Sequence, residues 1–198
     1  RVETHRLGRA TDTESGMVFG LGVTRNDTLG SYGLNYGRTI AESGARDTLT
    51  FNRDQQTRLG SFSAALGASR GDSKDVDWIG KLAYVAELPR DKLSASLSRA
   101  VQSDNNGDDV VVTRLSGNVQ HALSEVNSLD FGLMASASEY PTRDSSRLDA
   151  TMSYQHMLTQ DVSLEAGVRL GLAQQSRRED AESQSLFLNL TRQFEFLH

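Results

Sequence analysis

The chain of 198 residues contains no cysteine. That excludes a disulfide framework and thiolate chemistry. It has only two prolines, Pro89 and Pro141, so few positions forbid a ladder hydrogen bond. Aromatic residues make up 7% and hydrophobic residues 37%. The second value lies below the roughly 45–50% of ordinary soluble domains, too little for a large dry core. No run approaches the roughly 18 apolar residues of a membrane-crossing helix. A net charge of −5 offers no basic footprint for nucleic acid. The polar start, Arg1 to Arg9, is unlike a signal peptide.

What is present is a period of two. Met17, Phe19, Leu21 and Val23 alternate with Val18, Gly20, Gly22 and Thr24. Leu129, Phe131, Leu133, Ala135 and Ala137 alternate with Asp130, Gly132, Met134, Ser136 and Ser138. Leu164 to Leu172 repeats the pattern against Glu165, Gly167, Arg169 and Gly171, and Leu186, Leu188 and Leu190 repeat it against Phe187 and Asn189. Such alternation marks strands with one greasy and one small or polar face.

Turn signals punctuate these runs near Ala10–Glu14, Asn26–Gly30, Ser43–Arg46, Asp54–Thr57, Gly71–Lys74 and Pro89–Asp91. They continue near Asp104–Asp108, Ser124–Asn127, Pro141–Asp144, Thr159–Asp161 and Arg177–Ala181. The spacing predicts about twelve strands, the first near Val2–Arg9. Turns at Asn26, Asp54, Pro89, Ser124 and Thr159 are tight, and similar restarts follow them ("LGSYGL", "LGSFSAAL"). The connections between are hydrophilic, as in "DNNGDD" and "RREDAES". Tight turns at one rim and polar loops at the other fit an all-β, transmembrane, up-and-down antiparallel barrel. With no break in composition, residues 1–198 read as one barrel domain, which an upstream periplasmic segment could precede.

A soluble barrel would turn its greasy face inward, but twelve strands enclose more space than the few aromatics here can fill. The polar face is crowded with Gly, Ser, Thr, Asn and Gln, which suits a lumen. The chain ends on "LFLNLTRQFEF", with Leu186, Leu188, Leu190, Phe194 and Phe196 on one face. This ending resembles the terminal strand signal of Gram-negative outer-membrane β-barrel proteins, in a porin-like setting. It departs from that pattern at Arg192 and in the trailing Leu197 and His198. The resemblance implies a place in the outer membrane, and Phe194 and Phe196 as a signal to the barrel assembly machinery. It also places the tight turns in the periplasm.

On this register the lumen receives Lys81, Arg114, Asp130, Arg147, Asp149, Glu165 and Arg169, expected to line a pore. Asp77, Glu87, Glu195, Asn35, Asn118, Gln120 and Gln155 join them. The charges would either select solutes or pair and plug the lumen. Arg38 and Arg99 fall on the lipid face, toward lipopolysaccharide phosphates or a partner. Tyr32, Trp78, Tyr84, Tyr140 and Tyr154 are candidates for a thin aromatic belt. So thin a belt suits a barrel packed in a homo-oligomer or larger envelope complex. His121 and His156 fit interfacial anchors. No residue pattern indicates catalysis, and neither a metal nor another cofactor is expected; the acidic "DNNGDD" lacks calcium-loop spacing. The expected function is a narrow polar channel for passive diffusion or export of a small or linear substrate. The alternatives are a structural anchor with a self-plugged lumen and a lipid-modifying enzyme.

Overall fold

The structure is a computed structural model and describes residues 17–41, 44–71, 76–103, 109–141, 143–176 and 179–193. It contains eleven strands in one sheet, joined in simple succession. These are β1 (Met17–Asp27), β2 (Gly30–Ala41), β3 (Gly44–Gln56), β4 (Gly60–Arg70), β5 (Val76–Glu87) and β6 (Asp91–Ser103). They continue with β7 (Asp109–Ala122), β8 (Asn127–Glu139), β9 (Asp144–Met157), β10 (Val162–Gln175) and β11 (Ala181–Arg192). Every neighbouring pair is antiparallel.

The expected count of twelve becomes eleven among the described residues. The expected strand Val2–Arg9 and turn Ala10–Glu14 lie outside them, as do Phe194, Glu195 and Phe196. No pairing joins β1 to β11 among the described residues. In an up-and-down sheet, strands of odd number run the same way. An antiparallel seam between β1 and β11 therefore needs an odd number of further strands.

Cross-strand partners point to the same side of a sheet, so the register sorts each side chain to one face. Leu164, Ala166, Val168 and Leu170 share theirs with His156, Tyr154, Met152 and Ala150 of β9, and with Leu190, Leu188 and Leu186 of β11. These side chains meet little else: Leu186 is 84% exposed and Leu188 70%. Among the described residues only Ala86, Val110 and Val112 are buried apolar side chains. Nothing among the described residues covers the greasy face, and hydrocarbon would. The other face is crowded. Ser69 and Ser153, the two buried polar residues, lie on it, as do Val110 and Val112. Crowding marks the concave side. Arg46 of β3 also forms an ion pair with Asp109 of β7, past three intervening strands, which a flat sheet forbids.

The tight rim has its own device. Leu29 accepts a backbone hydrogen bond from Gln56 (2.7 Å), and Leu59 accepts one from Glu87 (2.8 Å), so each turn docks on the next hairpin. The same bond forms at the other tight turns, where Asp91, Asn127 and Val162 follow, so it does not require glycine. At the first two turns glycine lets the backbones press closer. A Cβ on Gly30 would lie 1.9 Å from the Asp54 carbonyl oxygen, and one on Gly60 would lie 1.8 Å from that of Val85. The recurring Leu-Gly-Ser restart is a close-approach site for backbone.

Candidate functional site: the polar face of the wall

The ladder puts Asp77, Lys81, Glu87, Arg114, Asp130, Arg147, Asp149, Glu165 and Arg169 on the concave face. Asn35, Asn118, Gln120 and Gln155 share it. Their heights differ by charge. Lys81, Arg114 and Arg169 stand six to eight residues from the tight-turn ends of β5, β7 and β10. Asp54, Glu87, Asp130 and Glu165 lie within three residues of that rim, together with Lys92.

The carboxylates near the rim are mostly engaged. Ser31 donates to Asp54 at 3.3 Å, Ser128 to Asp130 at 3.2 Å, and Asn189 to Glu165 at 3.4 Å. Higher up, Arg147 closes a two-pronged bond on Asp149, at 2.6 and 2.9 Å. Such a fork fixes both groups. Lys81 and Arg114 are exposed to the interior, and among the described residues neither has a hydrogen bond or ion pair. Arg169 has no ion pair among the described residues either, though Asp149 feels its charge; its guanidinium lies 5.8 Å from the Phe187 ring centre.

Beside Arg169 the wall forms a cavity of about 650 Å³, lined by Ser116, Gly132, Met134, Ser136, Arg147, Asp149 and Thr151 among others. Ser96 and Ser116 share a hydrogen bond of 2.8 Å on the same face. Among the described residues no group of three His, Asp or Glu could hold a metal ion.

Two concave-face residues escape a reading of the sequence. Arg46 falls in an expected turn, yet it bonds the Ser69 hydroxyl at 3.3 Å and pairs with Asp109. Phe187 looks like part of a terminal apolar run. Its signal is parity: it is out of step with Leu186 and Leu188, and faces Gly167.

Arg38 and Arg99 lie on the greasy face, and each meets a carboxylate there. Arg38 Nε is 3.8 Å from Asp47, which also accepts a 2.5 Å bond from the Tyr36 hydroxyl. Arg99 grips Glu139 at 2.9 and 3.2 Å and reaches Thr113 at 3.1 Å. Each charge expected to seek a lipid phosphate or a partner is already balanced within the wall. At the tight rim, still on this face, His121 meets Asp91 at 2.7 Å and His156 meets Asn127 at 2.5 Å. The exposed Trp78 lies toward the loop rim, where Arg143 stacks on Tyr140.

Solved structures share this architecture. OmpT, an outer membrane protein of Vibrio cholerae, matches with a TM-score of 0.56 and 8% identity, over 92% of this chain and 75% of that one. The fold is that of a porin-like outer-membrane β-barrel. An anion-selective porin from Comamonas acidovorans matches this barrel with a TM-score of 0.50 and 13% identity, over 80% of this chain and 49% of that one. No family model and no curated protein matches the sequence. A greasy exterior and a polar interior suit a barrel set in a membrane, and the fold is one that outer-membrane channels use.

Proposed function

We propose that the barrel is a narrow channel whose mid-height cations favour anionic solutes. The observation that carries this is the contrast in pairing. Among the described residues Lys81, Arg114 and Arg169 form no ion pair, while carboxylates nearer the rim hold hydrogen bonds and Asp149, the carboxylate whose charge Arg169 also feels, is gripped by Arg147. Unpaired charge inside a low-dielectric wall concentrates ions of opposite sign, and rings of charged side chains set selectivity in pores. The anion selectivity named for the Comamonas acidovorans porin supports the same direction. Paired groups such as Arg147 and Asp149 would narrow the passage.

The test is reversal potential in planar bilayers under a salt gradient. Anions should permeate several-fold faster than cations. The triple change Lys81→Glu, Arg114→Glu, Arg169→Glu should reverse the preference. An unchanged preference would remove these residues from selection. Absence of any conductance would favour a self-plugged structural anchor instead.

A second part of the proposal concerns the outside of β3. Its outward side chains are Ala45, Asp47, Leu49, Phe51, Arg53 and Gln55. Between Asp47 and Arg53 the apolar band is only ~15 Å tall at a tilt near 40°, against ~25 Å for outer-membrane barrels. Along β10, Val162 to Leu172 fills the full ~25 Å by the same measure. Arg53 stacks on Tyr32 at 3.8 Å, and among the described residues its buried Nη1 has no hydrogen-bond partner. A second copy of the chain is the neighbour that fits, because this sector carries charges of both signs and can complement itself.

A further inference from the structure

We infer that the concave face of β9–β11 holds a site for an organic anion, one with a carboxylate beside a flat apolar face. This rests on the channel proposed above and names the solute chemistry for one part of its wall. Among the described strands, Phe187 is the only aromatic residue on the concave face. It stands across from Gly167, and a Cβ there would lie 2.6 Å from the ring. The missing side chain thus makes the space in which the ring lies against β10. Two residues along β10, and on the same face, is Arg169.

Arg169 is set up to take an anion. The carboxylate that could occupy it, Asp149, is held by the Arg147 fork. A guanidinium offers two parallel N–H bonds to a carboxylate. On one side of Arg169 lies the Phe187 ring; on the other opens the cavity with the Ser136 and Thr151 hydroxyls and the exposed Met134. The cavity volume is in the range of small-molecule sites, roughly 300–1,000 Å³. An inorganic ion would use Arg169 alone. An organic acid would also lay its flat face on Phe187, and a hydroxylated one would meet the Ser and Thr groups. Two sources share this chemistry: aromatic acids, and sugar acids with an apolar ring face.

The test uses the full chain in two measurements. One is calorimetric binding to the barrel in detergent; the other is block of chloride current in planar bilayers. Benzoate, glucuronate and inorganic phosphate are the probes, at equal concentration. At least one organic acid should bind and halve the current at a concentration where phosphate does neither. Benzoate alone would identify an aromatic-acid site, and glucuronate a sugar-acid site. Phe187→Leu keeps an apolar filler over Gly167 but removes the flat ring. It should weaken binding about fivefold, as expected for a lost ring contact. Arg169→Gln should abolish binding. Thr50→Ala, on the opposite part of the wall, should leave it intact. Equal block by phosphate, or unchanged binding in Phe187→Leu, would overturn the site. If the barrel passes no current, the channel fails, and calorimetry still decides the site.

Discussion

The first four strands and strands β8 to β10 place their charges on opposite faces. In β1–β4 the concave face is almost neutral, built from Gly20, Gly22, Asn35, Thr50, Asn52, Ser63 and similar groups, with Arg46 and Asp54 only toward the rims. Its greasy face carries Arg25, Asp27, Arg38, Asp47, Arg53 and Arg70. In β8–β10 the concave face carries Asp130, Arg147, Asp149, Glu165 and Arg169, while the outward charges Glu139 and Asp144 stay at the loop rim. A charge on the lipid side is costly and needs a reason, whereas one on the water-filled side is cheap. On the proposed reading, β8–β10 face lipid outside and solute inside, whereas β1–β4 present a nearly neutral wall to the lumen and a charged surface to a second copy outside.

The sharpest way to break that contrast uses the absence of native cysteine, which makes single substitutions clean reporters. Leu49→Cys sits in the middle of the β3 sector and Val168→Cys in the middle of β10, both on the greasy face. Under mild oxidation the first should give disulfide-linked dimers in most of the protein, and the second almost none. Equal cross-linking at both, or none at Leu49→Cys, would mean that lipid covers both halves alike.

How much of this the sequence shows follows from the physics of each feature. Alternation reveals the faces, because a strand has a strict period of two. That is why the order of residues alone puts Lys81, Arg114, Asp130, Arg147, Asp149, Glu165 and Arg169 on one face. The turns are equally legible, since Gly, Asn, Asp and Pro at regular spacing have few other uses. Pairing is not legible. Whether Arg169 is free or Arg147 engaged depends on rotamers and on height within a tilted sheet. The partners of Arg38 and Arg99 depend on register: Glu139 lies two strands from Arg99 and 40 residues along the chain. Phe187 is hidden for another reason. Its meaning comes from Gly167, a residue with no side chain to signal anything.

Turn packing gives a second, smaller contrast. The β1–β2 and β3–β4 hairpins restart on Gly30 and Gly60, pressed against neighbouring backbone, whereas β8 and β10 restart on Asn127 and Val162. Gly60→Ala should cost roughly 1–3 kcal/mol, the range for overpacking a tight site, read from urea unfolding in lipid or detergent. Val162→Ala leaves the backbone spacing alone and should cost less. Comparable losses would show that the restart glycines are not close-approach sites.

The smallest effect compares one ion pair on each face. Asp47→Leu leaves Arg38 on the lipid side without its carboxylate. The expected loss is about 2 kcal/mol if hydrocarbon reaches it, falling toward zero at the headgroups. Adding Arg38→Leu should recover most of that loss, because the penalty belongs to the stranded charge and not to the pair. Asp149→Leu strands Arg147 in the lumen, where water solvates it, and unfolding should barely change. If Asp47→Leu is as harmless as Asp149→Leu, Arg38 lies among headgroups or against a polar neighbour. The Leu49→Cys cross-link separates these two cases, since only a neighbouring copy can supply the second thiol.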